Sequence, residues 1–467
     1  MTPPQFPTLI LPAADIAIVG LGPGDVGDIP LAVWQWLHSG RQVILRTRRH
    51  PCVDALGQID NLQSCDDLYE QHDAFADVYA AVVARVLAAA VNGPVVYAVP
   101  GHPWVGEATT GAILDGAGKK GLTVHVSGGA SFIDAGATAL GLDPMEGCQI
   151  VDGMLLATRH HPQLDLSLPA LIGQVYSRQV ASDVKLTLLN AYPAEQPVTL
   201  VQAAGMAHQR TQMLALHELD RRDDFDHLTS LFVPAQRPGG SFNDLQELIA
   251  HLRAPEGCPW DQVQTLETLR EFLLAECCEV LEAIDNEDDE HTAEELGDVL
   301  GIVCMIVQVA AEEGRFQMAD AVRASVEKLT RRHPHVFDIA NVPDMDGLYS
   351  QWDAIKAQER ADKGQKPKGP LDGIPAALPA LEKARELQSK AEKAGLLKRS
   401  EVAAENPTLA ALLPADSSAA DLGRLLWQLT ALAKARDLQA EAALREYVVR
   451  FRESGEEQIS QPTQSSR

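Results

Sequence analysis

At 467 residues, 46% of them hydrophobic, the chain is long enough for about three domains with real cores. A formal net charge of −26, from 65 acidic and 39 basic residues, weighs against nucleic acid and anionic membrane as partners, because no basic stripe offsets it. There is no run of 18 apolar residues and no signal-like N-terminus. The seven cysteines include no Cys-x-x-Cys pair, so the expectation is a soluble cytoplasmic protein with buried, reduced thiols.

The first predicted element is a short apolar strand from Asp15 that runs into Gly20-Leu21-Gly22-Pro23-Gly24-Asp25. Gly-x-Gly-x-Gly lets a backbone approach a ligand closely, but the loop lacks the third glycine of a dinucleotide fingerprint and any Walker lysine. A tight strand-to-helix turn accounts for it equally well. Trp34 and Trp36 read as core or interface. Further strands are predicted at Pro94–Val99, Leu122–Val126, Gln149–Asp152, Val198–Gln202, Met213–Leu219 and Thr229–Val233. Helical stretches fall between several of them, most clearly Asp73–Ala90, which gives an α/β class. His102, His160 and His161 lie in loops without carboxylates at metal spacing and read as hydrogen-bonded scaffold.

Pro234 to Ser241 has linker composition, and the chain beyond it is almost wholly helical. Pro259-Trp260-Asp261 reads as a helix start. A helix is predicted from about Thr265 to Ile284 and another from about Thr292 to Glu312, joined by the polar turn Asp285–His291. Glu276 and Glu279 on the first, and Glu295 and Asp298 on the second, have i,i+3 spacing, so each pair shares one helix face, its Cβ atoms roughly 5–6 Å apart. An antiparallel hairpin would bring the pairs level, where four carboxylates repel unless cations neutralise them. Hard oxygen ligands suit Mg²⁺. Spacing alone is equally satisfied by a solvated acidic face. Lys328 and Arg332 then form a cationic i,i+4 pair at the end of a third helix, and Trp352 and Lys356 repeat that spacing. Carboxylates for metal, cations for phosphate oxygens and tryptophans for a base together describe a nucleotide site.

The segment from Phe242 to Leu371 resembles the MazG family of nucleoside triphosphate pyrophosphohydrolases. The resemblance rests on Gly257-Cys258-Pro259-Trp260-Asp261, Glu276-x-x-Glu279, Glu295-Leu296-Gly297-Asp298, Lys328 through Phe337, and Trp352-x-x-x-Lys356, in that order. It implies an all-α, dimeric enzyme that cleaves NTPs or dNTPs between the α and β phosphates with Mg²⁺, or Mn²⁺. Glu276, Glu279, Glu295 and Asp298 would be the metal ligands, with Glu276 or Glu279 as the base. Lys328, Arg332, Trp352 and Lys356 would meet the nucleotide, with Trp260 as a further contact or a simple cap. The family's acidic box usually opens with two glutamates, and here the first is Ala275. That departure implies a weakened second metal or a changed water-positioning role.

Beyond a soft joint at 361–370, helices are predicted at Leu381–Leu397 and Ala419–Arg452, and 453–467 reads as a polar disordered tail. Leu422-Gly423-Arg424-Leu425-Leu426 resembles Leu296-Gly297-Asp298-Val299-Leu300, and Ala443 to Phe451 resembles Ala321 to Leu329 in pattern. With Arg424 in place of the aspartate, and Glu401 and Glu405 wrongly spaced, 372–452 reads as a degenerate second module that packs without holding metal.

Three pieces of the N-terminal half resemble the tetrapyrrole methylase family, S-adenosylmethionine-dependent enzymes with two α/β lobes. They are Val19 to Asp25, Val99-Pro100-Gly101-His102-Pro103 with Glu107, and Val126 to Phe132. The resemblance implies Gly22, Gly24, Asp25, Gly101 and Ser131 as cofactor contacts, while His102 stands where the family has aspartate. The whole resembles YabN-type proteins: a methylase-like domain at 1–235, a linker at 236–241 and a MazG-like domain at 242–371. The leading expectation is NTP hydrolysis by a homodimer. The alternatives are a methyltransferase with a regulatory helical module and a nucleotide-binding protein of weakened activity.

Overall fold

The computed structural model describes residues 9–72, 74–236, 239–338, 344–364, 369–398 and 407–460. The chain divides into two compact units, 1–318 and 319–467.

The first unit opens with a parallel sheet of β1 (Ile16–Gly20), β2 (Gln42–Leu45), β3 (Leu62–Ser64), β4 (Val95–Val99) and β5 (Val124–Ser127), ordered β3-β2-β4-β1-β5. Its central strands β1 and β4 are apolar and buried at every position because both faces are covered. Ala17, Val19, Val43, Leu45, Val96 and Ala98 share a core with Val33, Trp36 and Leu37 of α1 (Leu31–Leu37). Ile16, Ile18, Ile44, Val95, Tyr97 and Val99 pack against α2 (Phe75–Asn92) and α3 (Thr109–Lys120). By length and composition α2 is apolar enough to cross a bilayer, but its stripe Val78, Val82 and Val86 lies in this core.

A capping box at Ser131 starts α4 (Phe132–Leu140). The second sheet comprises β6 (Gln149–Asp152), β7 (Ala170–Gly173), β8 (Pro197–Gln202), β9 (Arg210–Ala215) and β10 (Thr229–Val233), ordered β6-β7-β10-β8-β9. Only the β6–β7 pair is parallel. Helix α5 (Arg178–Leu188) packs Ala181, Val184 and Leu188 with Ile172, Val198, Leu200 and Leu231. Strands β2, β3 and β7, three or four residues long, have no predicted counterpart. The strand predicted over Met213–Leu219 starts earlier and stops at Ala215. Leu216–Arg221 is a 3-10 turn that buries Leu216 and Leu219, three apart.

The glycine-bearing loops after β1, β4 and β5 meet at close quarters. A Cβ on Gly20 would stand 2.4 Å from the Gly101 carbonyl oxygen and 2.8 Å from Pro103 Cδ, and one on Gly129 would stand 2.7 Å from the Gly20 carbonyl oxygen. Gly22 and Gly101 exchange backbone hydrogen bonds at 3.2 and 2.8 Å.

After the linker, α6 (Phe242–Arg253), α7 (Leu266–Asp285) and α8 (Asp289–Glu312) pack around Ile249, Leu269, Cys304, Met305 and Val309. Thr265 caps α7 and Asp288 caps α8. The second acidic helix therefore starts three residues before the predicted Thr292, which takes His291 into its first turn. Gly257 threads against the end of α6, where a Cβ would lie 2.3 Å from the His251 and Leu252 carbonyl oxygens.

The second unit contains the rest of α9 (Met318–Arg332), then α10 (Met345–Asp362), α11 (Ala380–Lys393), α12 (Ala419–Ala435) and α13 (Ala440–Ser460). Helices α11 and α13 enclose Leu387, Ala391 and Val448 together with Leu371. Two expectations are corrected here. The helix predicted over Ala419–Arg452 is two helices, parted at Asp437, whose φ of +55° ends the first. Of the polar tail predicted over 453–467, residues 453–460 are helical, because α13 continues through them, and 461–467 lie outside the described residues; i,i+4 pairs Arg445–Glu441 and Arg450–Glu446 line the exposed side of α13. Glu401 and Glu405 lie outside the described residues. The thiol expectation also changes: Cys52, Cys65 and Cys304 are buried, but Cys277 and Cys278 are exposed, since adjacent helical positions cannot both face one core.

The Gly20 contacts are with backbone and a proline ring, neither able to give way. A Gly20→Ala protein is expected to lose about 3 kcal/mol of stability, read as a lower urea midpoint at unchanged slope.

Candidate functional site

Helices α7 and α8 form an antiparallel hairpin across the turn Asn286–Asp288. Carboxylate oxygens of Glu276, Glu295 and Asp298 come within 4.8 Å of one another there. Glu276 is half-buried, Asp298 exposed and Glu295 only 6% exposed. Burial first, and then the charges of Glu279, Asp298 and Glu295, push the Glu276 carboxyl above the ordinary range. One oxygen of Glu295 lies 2.9 Å from His291 Nε2; the other, Oε2, is buried with no hydrogen-bond partner among the described residues. Three converging carboxylates, one with an orphaned buried oxygen, are a donor set that fits a hard divalent cation. Of the four predicted ligands, Glu279 does not join the trio and is exposed, as is Ala275.

Trp260, exposed at the start of the hairpin, packs edge-on to Phe272 at 5.5 Å between centroids. Behind it, Arg253 pairs with Glu312 at 2.6 Å and donates to the Gln264 carbonyl, fixing the segment that carries Trp260 to α8.

The remaining predicted nucleotide contacts lie in the second unit. Arg331 and Arg332 both grip Glu359, each at 2.7 Å, and hydrogen bonds from Arg332 and then Arg331 hold the Glu359 carboxyl down at about 2. Trp352 Nε1 donates to the Arg332 carbonyl at 2.7 Å, with its ring edge-on to His333. Lys356 reaches Asp353 at 3.4 Å. Lys328 is exposed and enters no ion pair among the described residues. Glu359 carries no motif signal; its place opposite the two arginines depends on how α9 and α10 pack. His291 had a readable signal that went unused, because 291, 295 and 298 fall on one helical stripe.

In α12, Asp421 caps its own helix through Ser418, and Arg424 closes on it as an ion pair one turn along.

A cavity of about 290 Å³ opens between the two α/β lobes, beside the paired Gly22 and Gly101 loops. Gly101, His102, Phe132, Gln174, His227 and Thr229 line it, together with Arg49 and His50. Of the predicted cofactor contacts, Gly101 is in the lining. Gly22, Gly24, Asp25 and Ser131 are not: Gly24 sits against Met206, and Ser131 is the cap of α4. His102 accepts from the Trp104 N–H at 3.1 Å, and His161 Nδ1 meets the Pro162 carbonyl at 2.9 Å, which is scaffold bonding as expected. The loop after β4 is tied down by Glu107, which accepts from Thr109 and pairs with Arg46 at 3.4 Å. The Arg46 guanidinium lies between the Tyr69 and Tyr79 rings. His50 Nε2 donates to the Gly22 carbonyl at 3.0 Å, and burial pushes the imidazole down to about 4.

Comparison with known proteins matches residues 15–220 to the tetrapyrrole (corrin/porphyrin) methylases and residues 264–337 to the MazG nucleotide pyrophosphohydrolase domain. The chain is 39% identical to YabN of Bacillus subtilis over 381 residues, 80% of this chain and 77% of that protein. It is 45% identical to the nucleoside triphosphate pyrophosphohydrolase/pyrophosphatase MazG of Thermotoga maritima, over 33% of this chain and 58% of that protein. It is 43% identical to the nucleoside triphosphate pyrophosphohydrolase of Escherichia coli K12, over 32% and 57%. The match therefore spans little more than half the length of the last two.

His50 is neutral in the folded protein and titrates near 6.5 when unfolded. Between those values the unfolded chain binds the extra proton, so its stabilising contribution is complete above pH 6.5 and is lost as pH falls toward 4. The loss is about 3 kcal/mol. Urea midpoints measured from pH 7 to pH 4 are expected to fall across this window, and more shallowly in a His50→Gln protein.

Proposed function

Because the chain belongs to the YabN family, in which a tetrapyrrole methylase domain precedes a MazG domain, we propose that its helical half hydrolyses nucleoside triphosphates between the α and β phosphates. The products would be a nucleoside monophosphate and pyrophosphate. That the chain is a hydrolase follows from its MazG domain; the bond cleaved, the metal, the base and the assembly are the content of the proposal. The observation that carries it is the convergence of Glu276, Glu295 and Asp298 with one buried carboxylate oxygen unpaired.

Mg²⁺, or Mn²⁺ in its place, would screen the triphosphate and lower the pKa of an attacking water. Glu276, Glu295 and Asp298 would hold the cation. Glu279, one turn from Glu276 and outside the trio, would accept the water's proton. Lys328 would meet phosphate oxygens directly, whereas Arg332 would have to exchange Glu359 for them. Trp352, anchored through its indole N–H, would offer its ring to the base, and Trp260 is a second candidate. S-adenosylmethionine is the candidate ligand of the interlobe cavity, tested by calorimetry on the full chain.

A homodimer is supported by Leu274 and Leu281 on α7 and Leu296 and Leu300 on α8, all exposed. A second copy of the hairpin would cover them.

Product analysis tests the chemistry. Glu279→Gln is expected to slow pyrophosphate release by 10²–10⁴-fold, roughly the worth of a positioned general base. Glu295→Gln should weaken metal binding along with the activity. Orthophosphate as the product would refute α–β cleavage, and parent-like rates in both variants would refute the site. A Leu281→Asp/Leu300→Asp protein is expected to sediment as a monomer where the parent sediments as a dimer.

A further inference from the structure

We infer that His291 is a positioning residue of the carboxylate cluster, its ring N–H holding Glu295 so that the second oxygen of that side chain is presented to a divalent cation. The inference rests on the metal-dependent reading above and adds to it the means by which Glu295 is fixed.

His291, Glu295 and Asp298 stand at i, i+4 and i+7 on α8, one continuous stripe. The Nε2 atom of His291 lies 2.9 Å from Glu295 Oε1. An ionised carboxylate only accepts, so the ring nitrogen is the donor. With Oε1 committed, Oε2 remains, and it is buried without a partner on a residue 6% exposed. A buried carboxylate oxygen with no donor carries its full desolvation penalty. A cation meeting Oε2 removes that penalty, and the histidine bond keeps the side chain from turning its orphaned oxygen out to water.

Helix stabilisation is a poor account of the pair. The basic residue precedes the acid by four and sits in the first turn, the orientation that favours a helix least. The N-terminal turn is already capped by Asp288, which accepts from the His291 backbone N–H at 3.1 Å, and carries Asp289 and Glu290. The imidazole is thus spare to helix formation, and its ion-pair partner among the described residues is a member of the cluster.

Calorimetric titration of the full chain with Mn²⁺ tests this in the parent, His291→Ala and His291→Gln proteins. Removal of the donor is expected to weaken Mn²⁺ binding by about 10–100-fold, the usual cost of losing a partner of a ligating carboxylate. The glutamine amide, which also donates, is expected to restore it. Melting temperatures of the metal-free proteins should agree, so that the loss is one of metal affinity and not of folding. Parent-like binding by His291→Ala would overturn the inference and leave the metal reading standing. Failure of glutamine to rescue, with nitrogen coupling in the Mn²⁺ electron paramagnetic resonance spectrum of the parent, would overturn it in favour of direct ligation. No Mn²⁺ binding by the parent itself would overturn both.

Discussion

Repulsion among carboxylates that the fold will not let separate is the constraint on which the helical site depends. Glu276 on one helix and Glu295 and Asp298 on the next are brought together by a hairpin whose turn is three residues long. Both of its N-termini are capped, and its other side is locked by Leu269, Met305 and Val309. Relaxing the charges by opening the hairpin would expose that core. They are met instead by a raised proton affinity at Glu276 and by the His291 ring 2.9 Å from Glu295. A cation would relieve them further, and on the proposed metal-dependent reading its affinity would be a property of the packing around the acids as much as of the acids themselves.

The α/β half is governed by a different close approach. Gly20, Gly101 and Gly129 bring three loop backbones together with no space for a Cβ at two of them, and the cavity opens beside that contact. Its rigidity comes from buried polar contacts one layer away: His50 to the Gly22 carbonyl, and Arg46 with Glu107 between two tyrosine rings.

Much of this was legible in the sequence, for identifiable reasons. Period and spacing located the acidic hairpin to within three residues and set Glu295 and Asp298 on one face. The glycine loops announced themselves as backbone features before their contact was known. What stayed hidden depended on pairing across elements. Glu359 has no motif of its own, yet it occupies the Arg332 fork that looked available for phosphate. Glu279 shares i,i+3 spacing with Glu276, but spacing cannot tell which rotamers converge. Strands β2, β3 and β7 are too short to show a period, and polarity past residue 452 suggested disorder where the helix continues to Ser460, with Arg452 and Glu456 paired one turn apart.

The Asp421–Arg424 pair in α12 gives the partial repeat a meaning that homology alone does not. Where the first hairpin has an acid, the corresponding position carries a guanidinium, and the chain itself supplies the countercharge that, on the proposed reading, the other site would recruit from solution. The later segment would thereby be indifferent to the supply of free divalent ions, while the earlier one would be answerable to it. On the proposed reading, a single polypeptide would set an element that answers to its ionic surroundings beside one that carries its own countercharge.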